Sequence, residues 1–436
     1  MRDAPVSAPG AGSRMWVRGF VALCVGQFLG HQTGLVFSAL IPVLGTAWGL
    51  SAAQAGVILG GFQLGTLAAY VTIGFLLDRV QSKPIMAASA ALVGIGDLAF
   101  AAAARDFPSG LALRMLVGVL VGGLYLPALK QIADTVPRAS RGSATGIFIA
   151  TIVAAYALPL VYAGVLVPRI GWRATMAAVG VLEVLGALVM AWQVPAVPLP
   201  APPGPAALSR YARDVLGNAP ARRVILAYTG HNWELFGLWT WLAPFMVASL
   251  QARGEADRAV LAWGGLMAAA AIGAGGALGA VAGGRLSDRL GRMPAARVML
   301  AVSLVCSLCF GWLVAAPVAL TAGVALLYGT VSLADSPSYP AALMEVVPAR
   351  SLGGAFAVQM LLGWAATAAS PAAVGLTLDA GTRLGLPAAA RWGWAFALLA
   401  AGPLVGLVAL APARPRRAAG TSPAAAPATG EETGGG

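Results

Sequence analysis

The segment GRLSDRLGRMP, from Gly284 to Pro294, ends a long apolar stretch with a short charged turn. A similar segment, GFLLDRVQSKP, begins at Gly74, and the two starting positions, 74 and 284, lie 210 residues apart. Both segments keep the order glycine, Asp-Arg pair, proline, and both separate two apolar runs. A charged turn that recurs at nearly half the chain length indicates an internal repeat of two similar halves.

The composition indicates that the apolar runs lie in a lipid bilayer rather than in water. Of the 436 residues, 59% are hydrophobic and only 10% are charged, whereas soluble domains carry about 25% charged residues. Apolar runs of about 20 residues recur along the chain, which is the length of helix that crosses a hydrocarbon layer. We therefore predict an all-α polytopic membrane protein in contact with the lipid bilayer. Its formal net charge of +12 indicates basic loops rather than a nucleic-acid partner.

The apolar runs predict twelve transmembrane helices in two groups of six. The predicted spans are 17–43, 54–77, 85–104, 109–133, 143–168, 173–193, 223–250, 259–286, 295–315, 318–345, 352–378 and 391–411. These define an N-terminal tail (1–15), a first six-helix bundle (16–193), a Pro- and Arg-rich solvated linker (194–222), a second bundle (223–412) and a low-complexity disordered tail (413–436).

Basic residues are distributed unequally between the two sides of this arrangement. Turns on the side of both termini hold clusters such as Arg285, Arg289, Arg292 and Arg297, whereas the opposite loops hold few basic residues. Cytoplasmic loops carry the excess of Lys and Arg. We therefore expect a monomer in the cytoplasmic (inner) membrane, with both termini and the linker in the cytoplasm.

The doubled turn resembles the signature G-x-L-x-D-R-x-G-R-[RK] of the major facilitator superfamily, which lies between helices 2 and 3 and again between helices 8 and 9. The matching residues are Gly284, Asp288, Arg289, Gly291 and Arg292 in the second copy, and Gly74, Asp78 and Arg79 in the first. The first copy has Gln81 and Ser82 in place of the inner Gly-Arg. The resemblance covers about residues 16–412. It implies two pseudo-symmetric six-helix bundles, with this turn as part of a cytoplasmic gate.

The fourth predicted helix holds Arg114, Gly118 and Gly122 at four-residue spacing. This resembles the R-x-x-x-G-x-x-x-G segment of the family, whose arginine faces the central cavity. Asp97, on the third helix, lies at a similar distance from the outer membrane edge. Because an unpaired charge inside a membrane is costly, we expect Asp97 to pair with Arg114.

Two histidines occupy corresponding places in the two halves. The first helix contains GHQTGLVFSALIP around His31, and the seventh contains GHNWELFGLWTWLAP around His231. Helices 1 and 7 line the central cavity in the family that the chain resembles. We therefore expect the two imidazoles to face each other across a pseudo-two-fold axis near the midplane.

Other polar side chains share helical faces with these histidines. The predicted substrate and proton pathway comprises His31, His231, Glu234, Arg114, Asp335, Gln27, Gln63, Tyr70, Tyr228 and Trp233. Burial disfavours the charged form of a carboxyl group, so Glu234 is the leading candidate for a proton carrier, with His231 as its relay and Asp335 next in line. Glu183, on the peripheral sixth helix, is expected to be structural.

These features predict a secondary transporter of a small organic solute, coupled to protons and working by alternating access. His31 and Arg114 could attract an anionic group, which weakly favours an organic anion. The alternatives are efflux of amphipathic cations by proton antiport and, in another class, a membrane sensor or accessory subunit. No phosphate-binding loop, nucleophile elbow or zinc motif is found, so we expect no enzymatic chemistry, no metal and no cofactor.

Overall fold

The computed structural model describes residues 11–77, 79–137, 140–198, 212–255, 257–348 and 351–411. Within these residues the chain forms twelve long helices. They are α1 (Ala11–Gly30, continued by Thr33–Trp48), α2 (Ala52–Leu76), α3 (Ser82–Ala103), α4 (Phe107–Thr135), α5 and α6 (both within Arg141–Gln193), α7 (Ala219–Gln251), α8 (Asp257–Ala269, Ala270–Gly275 and Gly276–Leu290), α9 (Arg292–Phe310 with Gly311–Ala315), α10 (Val318–Ala334 and Ser338–Val346), α11 (Leu352–Arg383) and α12 (Ala388–Ala397, Leu398–Ala400 and Ala401–Ala409).

The length and polarity of these helices fit a membrane. In the described part of the chain, 10 helical stretches are long and apolar enough to cross a bilayer. One of them, Arg141–Gln193, reverses at Gly171, whose φ of 76° and ψ of 163° break the helix, and so supplies two spans. The remaining span is α7, which has 33 residues but carries a histidine and a glutamate. The predicted fold class, twelve helices in two halves of six, is confirmed.

Short polar residues define where the helices begin. Ser51 caps α2, with its hydroxyl accepting from the N–H of Gln54 at 3.2 Å. Asp106 caps α4 by accepting from the N–H of Ser109 at 2.9 Å. Hydrogen bonds from the Ser109 hydroxyl and N–H also lower the pKa of Asp106, because they stabilise its charged form. The Asp106 cap thereby sets the start of α4, the helix on which Arg114 lies.

Two seams join the first six helices to the last six. We call the membrane side on which α1 begins the near side and the opposite side the far side. In one seam, a Cβ atom at Gly56 on α2 would collide with the carbonyl of Pro371 on α11. In the other, a Cβ at Gly265 on α8 would collide with the carbonyl of Leu160 on α5. Glycine permits this close backbone approach, and both approaches lie toward the far side.

A carboxylate fastens the first seam at its far end. Asp379, near the end of α11, accepts from the N–H groups of Ala52 and Ala53 at 2.9 Å each. These are two of the unpaired N–H groups at the start of α2, which carry partial positive charge. A cavity of about 360 Å³ adjoins this contact, lined in part by Asp379, Arg391 and Trp392. We call this contact the far-side latch.

The end of the predicted linker differs from expectation. The linker was expected to be solvated through residue 222, yet Ala212–Leu216 forms a helical turn in which Val215 is 1% exposed. Helix α7 already begins at Ala219, because Asn218 caps it by accepting from the N–H of Ala221 at 3.1 Å. Residues 199–211 of the linker, residues 1–10 of the first tail and residues 412–436 at the chain end lie outside the described part.

Candidate functional site

The imidazole of His231 on α7 is held between two neighbouring residues of α10. Its Nδ1 lies 2.8 Å from Oδ1 of Asp335, and its Nε2 lies 2.7 Å from the hydroxyl of Ser336. The Nδ1–H does not point directly at the carboxylate oxygen, so this contact is electrostatic rather than an aligned hydrogen bond. Tyr339 donates its hydroxyl to Oδ2 of Asp335 at 2.5 Å. We call His231, Asp335, Ser336 and Tyr339 the imidazole cluster.

A break in α10 brings Asp335 and Ser336 into contact with His231 on α7. Helix α10 stops at Ala334 and resumes at Ser338, because Pro337 has no N–H to continue the helical bonding pattern. Turn bonds bridge the gap, from the N–H of Ser336 to Leu333 and from the N–H of Ser338 to Asp335. The break therefore places consecutive side chains, those of Asp335 and Ser336, on opposite nitrogens of one imidazole.

The surroundings of the imidazole are aromatic and largely dry. Tyr339 and Tyr228 lie with ring centroids 5.4 and 6.2 Å from that of His231. His231 and Asp335 are 2% and 3% exposed, whereas Ser336 and Tyr228 are partly exposed. A neutral imidazole can accept a proton at one nitrogen and donate from the other. The arrangement can therefore carry a proton between the Ser336 hydroxyl and the buried Asp335 carboxylate.

Glu234 lies one turn farther along α7 but in a different environment. The hydroxyls of Ser303 and Ser307 on α9 donate to its Oε1 at 2.6 and 2.7 Å. Ser307 also shares a 2.7 Å hydrogen bond with the hydroxyl of Tyr328 on α10. Glu234 is 1% exposed. The direct contacts of His231 are thus with Asp335 and Ser336, whereas Glu234 is bound by the serines of α9. The expected proton relay between His231 and Glu234 stays a prediction.

The predicted pair of Asp97 and Arg114 is confirmed. Arg114 Nη1 lies 3.1 Å from Oδ1 of Asp97, and both side chains are 0% exposed. The guanidinium also donates to the hydroxyl and the carbonyl of Thr33 on α1, at 2.7 and 2.9 Å, and stacks on Phe62, 4.6 Å from the ring centroid. The guanidinium is therefore buried and its charge is balanced by Asp97, while the expected role of Arg114 in attracting an anionic solute stays a prediction.

His31 occupies a break in α1, between Gly30 and Thr33. Its Nδ1 lies 3.0 Å from the carbonyl of Gln27, and its ring packs 6.1 Å from that of Tyr156 on α5. The expected face-to-face arrangement of His31 and His231 across the pseudo-two-fold axis stays a prediction. The described contacts of the two imidazoles have no residue in common, because each ring packs against its own set of helices.

A chain of aromatic rings links the two halves near the middle of the membrane. Its members, in order, are His31, Tyr156, Trp239, Phe236, Trp364 and Tyr70, with successive centroids 6.1, 6.2, 5.4, 5.7 and 5.1 Å apart. We call this set the ring chain. The predicted pathway includes His31 and Tyr70 but not the four residues between them, since isolated aromatic residues in an apolar helix have no distinctive spacing.

The other predicted pathway residues have separate positions. Gln27 donates to the carbonyl of Leu124 at 3.2 Å and is 0% exposed, inside the first half. Trp233 donates its indole N–H to the carbonyl of Leu398 on α12 at 3.3 Å. Gln63, on the same helix as Tyr70, has a buried carbonyl oxygen without a hydrogen-bond partner. The carbonyl oxygen of the Gln27 side chain is likewise buried and without a hydrogen-bond partner, so Gln27 and Gln63 each keep one unpaired acceptor.

The second charged turn forms a local ion-pair network. Arg292 donates to Asp288 at 2.6 Å and to Glu345 at 3.3 Å. Both carboxylates raise the pKa of the Arg292 guanidinium, Asp288 more than Glu345. Arg292 also donates to the Ser287 hydroxyl at 3.2 Å, and Ser338 donates to the same hydroxyl at 3.2 Å. The turn is thereby tied to the start of the second segment of α10.

The two charged turns differ in backbone conformation. Gly291 has φ of +88°, which only glycine adopts without strain, and Gly284 has no atom within 4 Å of an added Cβ. At the corresponding place in the first turn, Gln81 is extended, with φ of −60° and ψ of 147°. The first turn therefore needs no glycine there. Gly74 lies within α2 and Arg79 is exposed, while Asp78 lies outside the described residues.

The family model of the Major Facilitator Superfamily matches residues 23–371. This range includes both charged turns, the imidazole cluster and all six residues of the ring chain. The chain belongs to the Major Facilitator Superfamily. Within the described residues, no group of three or more His, Cys, Asp or Glu side chains is placed to hold a metal ion.

Solved structures of the superfamily share the fold. A bacterial homologue of the human lysosomal transporter Spinster, in an inward-facing and unoccupied conformation, superposes with a TM-score of 0.72 at 18% identity. The superposition covers 91% of this chain and 95% of that protein.

Curated superfamily members match shorter segments. "Myo-inositol transporter 2" of Cryptococcus neoformans var. grubii is 33% identical over 128 residues, which are 29% of this chain and 23% of that protein. "Probable nitrate/nitrite transporter NarK2" of Mycobacterium tuberculosis is 32% identical over 170 residues, 34% of this chain and 40% of that protein. The chain thus spans less than half the length of both relatives.

Proposed function

We propose that this Major Facilitator Superfamily member is a secondary transporter that moves a small, uncharged, hydroxyl-bearing solute together with a proton. The observation that carries the proposal is the His231 imidazole held between the buried Asp335 carboxylate and the partly exposed Ser336 hydroxyl, at 2.8 and 2.7 Å. Ionisable groups inside a membrane protein usually mark a substrate or ion pathway.

The charges near the centre favour an uncharged solute. Arg114 is paired with Asp97 and bonded to Thr33, so it is not free to bind an anion. A protonated His231 is balanced by Asp335 at 2.8 Å. An anion or a cation bound beside these pairs would leave a buried charge without compensation, which is costly. This argues against the organic anion that the sequence weakly favoured.

The ring chain supplies a surface that suits such a solute. Aromatic faces bind the C–H faces of cyclic molecules through dispersion and apolar burial. Two buried polar atoms without partners, Oε1 of Gln63 and Nε1 of Trp239, could bind hydroxyl groups. The relatives named above take a cyclic polyol in one case and small anions in the other, and the charge balance in this chain favours the polyol type.

The imidazole cluster supplies the coupling step in this proposal. A proton that enters at Ser336 is bound by Nε2 of His231, while the proton on Nδ1 passes to Oδ1 of Asp335 after a small rotation of the ring. The net result is one proton moved from the accessible side to a buried carboxylate. Protonation of Asp335 removes its charge and weakens its hold on His231, which can favour a second arrangement of α7 and α10.

Alternating access needs an opening on each side in turn. The two seams and the far-side latch hold the two halves together toward the far side of the membrane. The contacts between the halves on the near side are therefore the ones that we expect to break first. We propose that the near side is the cytoplasm, with the protein in the cytoplasmic membrane. The two halves would then rock about the ring chain, and the far-side latch would open when the near side closes.

Counterflow into proteoliposomes tests the transport proposal. Vesicles loaded with unlabelled myo-inositol should accumulate labelled myo-inositol from outside, and a pH gradient should drive net uptake. Matched vesicles should be assayed with labelled nitrate and with a lipophilic organic cation. Uptake of either charged compound without uptake of polyols would contradict the charge argument, and the absence of counterflow across a wider panel of polyols and sugars would contradict the transport proposal.

A thermal-shift screen in detergent complements counterflow. A ligand at 100 times its Kd stabilises the folded state by about 2.7 kcal/mol. A true substrate should therefore raise the melting temperature of the wild-type protein. The same compound should shift a Trp364→Ala variant less, because that variant lacks a central member of the ring chain.

A further inference from the structure

A second group of buried ionisable side chains lies in the first half, away from the imidazole cluster. Asp97 on α3 and Glu183 on α6 are both 0% exposed, and both are joined to one unit, Thr33 on α1 with the Arg114 guanidinium that binds its hydroxyl. Arg114 on α4 binds Oδ1 of Asp97 at 3.1 Å. The N–H of Thr33 donates to Oε1 of Glu183 at 2.8 Å. Each acid therefore has one oxygen that is already bonded.

The other oxygen of each acid has no donor. Oδ2 of Asp97 and Oε2 of Glu183 are both buried and without a hydrogen-bond partner. Buried polar atoms without partners are rare and indicate a missing hydrogen, water or ion. Two carboxyl groups that share a site cannot both ionise easily, and sharing one proton relieves their repulsion.

The surrounding charges do not balance without that proton. Arg114 supplies one positive charge against two carboxylates. From α1 the pair faces Thr33, which is neutral, and from α5 it faces the phenol of Tyr162. One added proton makes the group neutral. A metal cation would need several oxygen ligands and would be repelled by the guanidinium, whereas a proton needs only two oxygens.

We propose that Asp97 and Glu183 share one proton between Oδ2 and Oε2, forming a proton-binding site in the first half of the molecule. This site is independent of the transport proposal, since it concerns residues outside the imidazole cluster. It also gives Glu183 a role as a proton ligand rather than only a structural side chain. Replacing either acid by its amide should therefore make the other acid ionise, because Arg114 then balances a single carboxylate.

Infrared spectroscopy of the purified wild-type protein tests the site directly, with the proton itself as the probe. A protonated carboxyl group gives a C=O stretch that shifts in D₂O. We expect such a band at neutral pH, lost in Glu183→Gln and also in Asp97→Asn, since each leaves one ionised acid. The band should persist in Glu234→Gln, which alters the other buried glutamate, and in Glu255→Gln, an exposed matched control.

The wild-type protein alone also supplies a test that needs no substitution. Carboxyl-¹³C labelling of glutamate or of aspartate should shift the band if the shared proton resides on that residue type. Absence of any protonated-carboxyl band in the wild type would overturn the proposal. So would a band that survives Glu183→Gln and Asp97→Asn, or one that only Glu234→Gln removes.

Discussion

The Nε2 atom of His231 lies 2.7 Å from the Ser336 hydroxyl, while the carboxylate of the preceding residue in α10 contacts the opposite ring nitrogen. Two adjacent residues can reach both nitrogens only because α10 is interrupted there. Asp335 is buried and Ser336 is partly exposed. The imidazole therefore lies between an accessible group and an inaccessible one, as a proton-transfer step requires.

Asp335→Asn should abolish proton-driven accumulation of the solute in proteoliposomes. The amide keeps the shape of the carboxyl group but can neither bind nor release the transferred proton. Exchange of solute without a pH gradient should survive, since it needs no proton release. Glu234→Gln is the matched variant: it should retain coupled uptake, because Glu234 is bound by serines of α9. Loss of coupling in Glu234→Gln with retention in Asp335→Asn would reassign the proton carrier to Glu234.

Trp364→Ala should weaken solute binding up to about tenfold. The indole contacts both Phe236 and Tyr70, and an aromatic contact contributes about 0.5–1.5 kcal/mol beyond its buried area. Affinity can be measured by titration of the thermal shift. Trp312→Ala, which removes an indole that is 42% exposed on another helix, serves as the control. Equal losses in the two variants would indicate a general effect on folding.

Asp379→Asn should shift the molecule toward far-side opening. The neutral amide interacts more weakly with the positive helix start at Ala52 and Ala53. A cysteine in place of Thr382, which lines the adjoining cavity, should then react faster with a membrane-impermeant maleimide. The comparison uses a background without the native cysteines. An unchanged labelling rate would show that the carboxylate does not restrain the seam.

Asp288→Asn should slow transport severely while leaving the fold intact. The substitution removes the charge that accepts from Arg292 at 2.6 Å, and both side chains are partly or largely exposed. Exposed ion pairs contribute at most about 1 kcal/mol to stability, so the melting temperature should change little. Asp78→Asn in the first turn is the matched variant and should have a smaller effect. A reversed order of the two effects would contradict the ranking of the turns.

Cysteine labelling checks the orientation in the membrane. Gln193→Cys at the near side should react with an impermeant reagent only in permeabilised cells, whereas Glu255→Cys at the far side should react in intact cells. Both positions are exposed. The opposite pattern would place the termini outside the cytoplasm and invert the proposed direction of alternating access.

The sequence predicted those features that follow from length, depth and charge. Twelve spans follow from apolar runs, and the Asp97–Arg114 pair follows from two opposite charges at equal depth on adjacent helices. Neither prediction needs the angle at which a side chain leaves its helix. Both are therefore reliable targets for sequence analysis of a membrane protein.

The partners of His231 could not be predicted in the same way. Residues three apart on a helix differ by about 60° in direction, so His231 and Glu234 are aimed at different neighbours. Asp335 comes into reach because the helix breaks before Pro337, and periodicity alone does not show which way a broken helix turns. The ring chain likewise depends on how four helices pack, which the sequence does not encode in its spacing.

Because of Gly291, the second charged turn tolerates substitution less well than the first. Any side chain at this position would have to hold a left-handed backbone, so a change of a single codon would strain the turn that positions Arg292. Gln81, in an extended backbone, can be replaced by most residues without that strain. A gene that drifts under weak selection would therefore be expected to lose sequence identity at the first turn well before the second.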